Sequence, residues 1–285
     1  MSGIRRYPIV AYFVLAFVIS WGGILLATVP SGFPGDKEDA GLFVLVFASM
    51  AAGPSIAGIV MTAVMEGRTG LRELLARVTR WRVPLRWYAV ALLTAPVLLA
   101  VIFGLLSLVS PVFTPGILTT ADRVGLLLYA CVGGLAAGVF EEIGWTGFAT
   151  PRMLRRTSLL LRSLTLGLIW SVWHMLPDVW GSTAVFGSLL VPRMLLWTVA
   201  MMTPYRLLMT WVYTHTRSVL VAMLMHAVFP GGQALLAPVA ASPAQHLLWY
   251  AIFAAALWAL ALIVARDRRK ALPDAGSGIA EERAA

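Results

Sequence analysis

Phe140-Glu141-Glu142-Ile143-Gly144-Trp145-Thr146-Gly147-Phe148 closes an apolar run that extends from Val124 to Val139. An ionisable side chain at membrane depth costs about 3 kcal/mol or more and marks a functional site by default. Two adjacent carboxylates also repel one another. The plain alternative is that the helix ends here, with both carboxylates in headgroup water. The rest of the chain decides between the two.

Of the 285 residues, 60% are hydrophobic and 12% charged, and the mean hydropathy is +0.84. Soluble domains carry roughly 25% charged residues. The chain therefore reads as an all-α, polytopic membrane bundle. The net charge of +9 does not indicate nucleic acid, because the basic residues stand in short clusters between apolar runs. That is the pattern of cytoplasmic loops against anionic lipid, so the expected partner is a bilayer. Cys131 is the one cysteine, so no disulfide forms within the chain. It reads as a small buried hydrophobe.

Working outward, eight spans are predicted, at about residues 8–29, 41–65, 87–109, 122–142, 163–176, 194–213, 218–236 and 246–265. Residues 66–86 hold six arginines beside Leu71, Leu74, Leu75 and Val78, the pattern of an amphipathic helix lying on the membrane surface. Residues 30–40 form a loop with Asp36, Lys37, Glu38 and Asp39. The Gly-rich segment 177–193 reads as external or re-entrant, and the tail from Arg266 as disordered. With both termini cytoplasmic, inside segments hold eighteen of the twenty-two Lys and Arg residues and outside segments three. Three parts follow: residues 1–121 with the first three spans, 122–236 with the polar spans, and 237–285 with the last span and a basic tail.

Few ionisable groups remain within spans: Glu141, Glu142, His174, Arg206 and His226. Glu141 lies eleven residues from Arg152, His174 twelve from Arg162, and His226 and Arg206 nine and eleven from Arg217. At roughly 1.5 Å per residue, all four sit about 13–18 Å below the basic loops. Four helices bearing polar groups at one depth is what a single buried site requires. Taken alone, each histidine reads as an interhelical hydrogen-bonding residue, and Arg206 as one that snorkels to the surface. Trp170 precedes His174 by four residues and walls the same helix face. Pro177 should end that helix soon after His174. Glu141 and Glu142 diverge by about 100° around their helix, so they serve different roles.

These residues resemble the motifs of the CPBP family of intramembrane proteases (CAAX proteases and bacteriocin-processing enzymes, also called Abi). Its markers are Glu-Glu-x-x-x-Arg, aromatic-x-x-x-His and His-x-x-x-Asn on successive helices. Here they read Glu141-Glu142-Ile143-Gly144-Trp145-Thr146, Trp170-Ser171-Val172-Trp173-His174 and His226-Ala227-Val228-Phe229-Pro230, within residues 122–232. Two positions depart from the pattern: Thr146 stands where the family has Arg, and Pro230 where it has Asn. Arg206 is the expected replacement cation and Gln233 the expected replacement for the Asn.

The resemblance implies peptide hydrolysis within the membrane, near its cytoplasmic face. Glu141 would activate water with help from His174. His226 would stabilise the oxyanion, and Glu142 would act structurally with a cation. Glu141, His174 and His226 could also hold zinc with a position open for water, although no His-Glu-x-x-His occurs on one helix. The metal-free reading is preferred. A non-catalytic protein that keeps the cavity to bind a peptide or lipid is the first rival. A proton-coupled transporter is the second, opposed by the absence of internal symmetry. Substrates range over prenylated C-terminal peptides, leader peptides and membrane-protein loops. The excess of Arg over Lys points to a bacterial plasma membrane.

Overall fold

The computed structural model describes residues 2–33, 39–153 and 159–266. The charges at residues 36–38, the pair Arg155 and Arg156, and the tail from residue 267 lie outside the described residues. In hydrocarbon every backbone N–H and C=O must be paired internally, so a chain this apolar has to be helical. Among the described residues there is no strand, and seven helical runs are long and apolar enough to cross a membrane. We label them α1 (Pro8–Thr28), α2 (Ala40–Val78), α3 (Leu85–Val109), α4 (Arg123–Met153), the run Leu159–Thr216, α7 (Val219–Leu236) and α8 (Pro243–Ala265). The run Leu159–Thr216 turns back on itself at Gly187, where φ is +49°. Its arms are α5 (Leu159–Phe186) and α6 (residues 190–216), which pack antiparallel. Gly167 faces Thr203, and the Ser171 hydroxyl donates to the Thr198 carbonyl at 2.5 Å.

Lipid chains are as apolar as leucine, so membrane helices gain from close packing rather than from burial of apolar surface. Small residues make the crossings here. Gly134 and Gly138 of α4 lie against the Ala227 and Met223 carbonyls of α7, where an added Cβ would stand 2.4 and 2.3 Å from those oxygens. Gly58 of α2 meets Gly144 of α4, and the Ser55 hydroxyl donates to the Phe140 carbonyl. Thus α2 and α7 both grip α4 beside its glutamates.

The helix bearing His174 does not end at Pro177 as the sequence suggests; α5 continues to Phe186. A proline inside a helix leaves the carbonyl four residues earlier without its donor. For Pro177 that carbonyl belongs to Trp173, and the Trp21 indole of α1 donates to it at 2.9 Å. For Pro54 of α2 it belongs to Met50, and the Ser20 hydroxyl donates to it at 2.7 Å. Two consecutive residues of α1 therefore satisfy the carbonyls released by prolines in two other helices. Segment 177–193 is accordingly helix, turn and helix.

The amphipathic stretch is also shorter than residues 66–86. It is joined to α2 through a break at Gly67 (φ +62°) and stops at Val78, before Pro84. Only part of its apolar face is covered: Leu74 is buried against Gly147, while Leu75 is exposed. Cys131 is exposed on the outside of α4 rather than buried. Arginines do gather at one end of the bundle. Arg5 donates to the Val64 carbonyl, Arg152 pairs with Glu66, and the Arg80 carbonyl accepts from Ser218.

Gly138→Ala should cost about 1–3 kcal/mol or more, because its Cβ meets a backbone carbonyl that cannot yield. Gly133→Ala, which meets nothing within 4 Å, should be neutral or slightly stabilising. Thermal unfolding of the two variants in one detergent distinguishes them.

Candidate active site

The core of the site is the Glu142 carboxylate, buried on α4. It accepts four hydrogen bonds. The Arg206 guanidinium of α6 donates to Oε2 and Oε1 through Nη1 and Nη2, both at 2.8 Å. His226 Nδ1 of α7 donates to Oε1 at 2.7 Å. The Thr146 hydroxyl, one turn along α4, donates to Oε2. Two carboxylate oxygens offer about four acceptor positions, so Glu142 is saturated. The Arg206 charge also lies over the Trp170 ring, 4.1 Å from its centre.

Glu141 is also buried but differently supplied. Its Oε2 accepts one hydrogen bond, from the Trp170 indole at 3.0 Å, and His226 Nε2 lies 3.8 Å from the same oxygen. No other hydrogen bond reaches this carboxylate among the described residues. The Trp170 ring touches both imidazoles, with centroids 5.1 Å from His174 and 5.3 Å from His226.

His174 Nδ1 lies 3.0 Å from the Trp170 carbonyl. A carbonyl only accepts, so Nδ1 carries the proton and Nε2 keeps its lone pair in the neutral ring. The same logic puts a proton on His226 Nδ1, facing Glu142. Trp173 and Trp197 wall His174, at ring centroids of 4.7 and 5.8 Å. A cavity of about 350 Å3 reaches His174 and is bordered by Asp178, Arg193 and Trp197.

The residues singled out from the sequence thus fall into two groups. Glu141, Glu142, His226, Arg206 and Trp170 form one contiguous cluster, and His174 joins it through the Trp170 ring. Gln233 does not reach that cluster: it accepts from the Trp197 indole at 2.9 Å and donates to the Phe229 carbonyl at 3.1 Å. Pro230 faces an apolar groove beside Tyr129 and Gly134. Among the described residues, no three His, Cys, Asp or Glu side chains are gathered as a metal-ligand set.

Sequence reasoning missed Trp173 and Trp197, which carried no polar signal. It also missed Tyr12 of α1, whose buried hydroxyl lies within electrostatic reach of Glu142 and Arg206. Both carboxylates precede a π-helical turn at Trp145–Ala149, and Arg206 follows another at Leu195–Met201. Such turns often mark functional sites. They free carbonyls that side chains then take, as Thr150 does with Trp145 and Ser171 with Thr198.

Residues 123–231, which carry both glutamates, Trp170, His174, Arg206 and His226, match the family model of the Type II CAAX prenyl endopeptidase Rce1-like proteins. The likeness to the Rce1-like proteins lies in this core. The CAAX prenyl protease 2 of Methanococcus maripaludis is 23% identical over 254 residues, which covers 81% of this chain and 86% of that protein. With the apolar helices, these likenesses support a multi-pass membrane peptidase.

Arg206→Met should cost about 3–5 kcal/mol, because it leaves a buried carboxylate without its cation. Adding Thr146→Arg to that variant should recover part of the loss, by restoring a cation one turn from Glu142. Thermal unfolding of the two variants against the parent checks both.

Proposed function

We propose that this intramembrane endopeptidase works through water activated by Glu141. The observation that carries the reading is the asymmetry of the glutamate pair: Glu142 is saturated, whereas Glu141 accepts one hydrogen bond. A general base needs free acceptor capacity, and Glu141 has it. Its carboxylate removes a proton from water as the water oxygen bonds to the scissile carbonyl carbon, and the π pair moves to the carbonyl oxygen. His174 Nε2 accepts from that water and orients it. His226 lies between the two carboxylates, and its Nε2–H donates to the oxyanion, a contribution of about 3–4 kcal/mol for one preorganised donor. Glu141 then returns the proton to the leaving nitrogen as the C–N bond breaks. No metal takes part in these steps.

The name of the archaeal relative supports prenylated C-terminal peptides as the first substrate class to try. Leader peptides and membrane-protein loops follow. A second reading, a non-catalytic peptide- or lipid-binding protein, is favoured by Pro230 and Gln233, neither of which offers the donor expected after His226.

Purified protein in proteoliposomes, given quenched-fluorescence peptides of each class, tests the proposal. Glu141→Gln should lower cleavage by about 100-fold or more, with unfolding unchanged and no effect of chelator on the parent. Activity lost on chelation and restored by zinc would replace this mechanism with a metal-dependent one. Equal silence of well-folded parent and variant on every class would favour the second reading.

The orientation follows from charge: both termini, and the arginine-rich end, face the cytoplasm, with α5 and α6 counted as separate spans. A reporter that is active only in the cytoplasm should be active when fused at the C-terminus and silent when inserted after Ser188.

A further inference from the structure

At the arginine-rich end of the bundle lies a polar cavity of about 470 Å3, away from the glutamate pair. It sits where the stretch beyond Gly67, the end of α4 and the end of α6 meet. Arg77, Arg80, Arg152 and Arg217 line it against Glu66 and Glu73, leaving two net positive charges. The first pair of arginines with defined partners is spoken for: Arg152 holds Glu66, and Arg77 donates to the Tyr213 hydroxyl at 3.1 Å and to the Glu73 carbonyl. Arg80 and Arg217 meet no carboxylate among the described residues. Arg217 also occupies the left-handed region, at φ +54°, a conformation that costs a non-glycine residue energy and persists where the surroundings fix it. A pocket of this size with two net positive charges calls for a phosphate-bearing anion.

The chain that follows Arg80 bears on where that phosphate comes from. Beside Arg80, Trp81 and Leu85 are 63% and 84% exposed. Apolar side chains that open next to an arginine pocket at a helix end suit a ligand with acyl chains alongside its phosphate. We propose that this pocket binds the phosphate of an anionic phospholipid headgroup. The proposal does not depend on the peptidase mechanism, and its test does not read activity.

The test is native mass spectrometry of the full-length protein in detergent, with phosphatidylglycerol, phosphatidylcholine or sodium phosphate added. The parent should retain phosphatidylglycerol at least about tenfold better than phosphatidylcholine. Arg80→Gln combined with Arg217→Asn should abolish that preference, asparagine being tolerated in the left-handed region. Arg123→Gln, on the far end of α4, should retain it. Arg80→Gln alone, at an exposed side chain, should lose part of the preference and carries the test if the double variant does not fold. Equal retention of both lipids by the parent, or a preference that survives the loss of Arg80 and Arg217, would overturn the proposal. So would sodium phosphate that binds as tightly as the lipid and displaces it at equal concentration, since the acyl chains would then contribute nothing.

Discussion

The structure depends on how one buried carboxylate is neutralised. An ionised Glu142 at membrane depth is untenable alone, because the desolvation penalty is several kcal/mol per ion even after relaxation. It becomes tenable when a bidentate guanidinium, an imidazole N–H and a hydroxyl fill its acceptor positions. These donors come from α6, α7 and α4, so one side chain fixes three helices relative to one another. The close approach of α4 to α7 at Gly134 and Gly138 is what brings His226 within 2.7 Å of that carboxylate. Backbone sterics and charge pairing demand the same geometry here, and such agreement between levels is what selects one packing.

Much of this was legible in the sequence because membrane burial makes polar residues conspicuous. Glu141, Glu142, His174, Arg206 and His226 stand out against apolar surroundings, and a count of residues from the basic loops placed them at one depth. Arg206 was the sharpest inference: a threonine where a cation was expected implied a cation elsewhere. Pro177 was harder to read. A proline signals a helix end only if the carbonyl it releases finds no other donor, and here the donor is Trp21, some 150 residues away along the chain. Gln233 failed for the opposite reason. Its spacing after His226 was suitable, but Trp197, an apolar-looking residue, takes its amide oxygen. Periodicity and spacing report which face a residue occupies; they do not report which neighbour reaches it first.

The glutamate pair shows how one sequence motif can hold two chemical environments. Adjacent positions on a helix point about 100° apart, so Glu142 turns toward α6 and α7 while Glu141 turns toward the Trp170 indole. The environments then diverge. One carboxylate is saturated by its neighbours, and the other keeps free acceptor positions. Pairs of titratable groups driven apart by their surroundings are a recurrent way to assign such roles. Trp170 joins the two halves, because it donates to Glu141, lies beneath the Arg206 charge and touches both imidazoles.

Supplying the cation from α6 rather than from α4 changes when the site can form. An arginine one turn from Glu142 would neutralise it within a single helix, before any tertiary contact. With Thr146 in that position, α4 brings only a hydroxyl, and Glu142 waits for α6 to pack. Arg206 is equally costly to bury until it meets Glu142, since it too is fully enclosed. Each helix is therefore poor at membrane depth without the other, and the pair forms only when the hairpin of α5 and α6 docks. Docking of that hairpin also brings in Trp170 and His174, which α5 carries. The substitution at position 146 thus makes neutralisation of Glu142 and assembly of the polar cluster around Glu141 a single event.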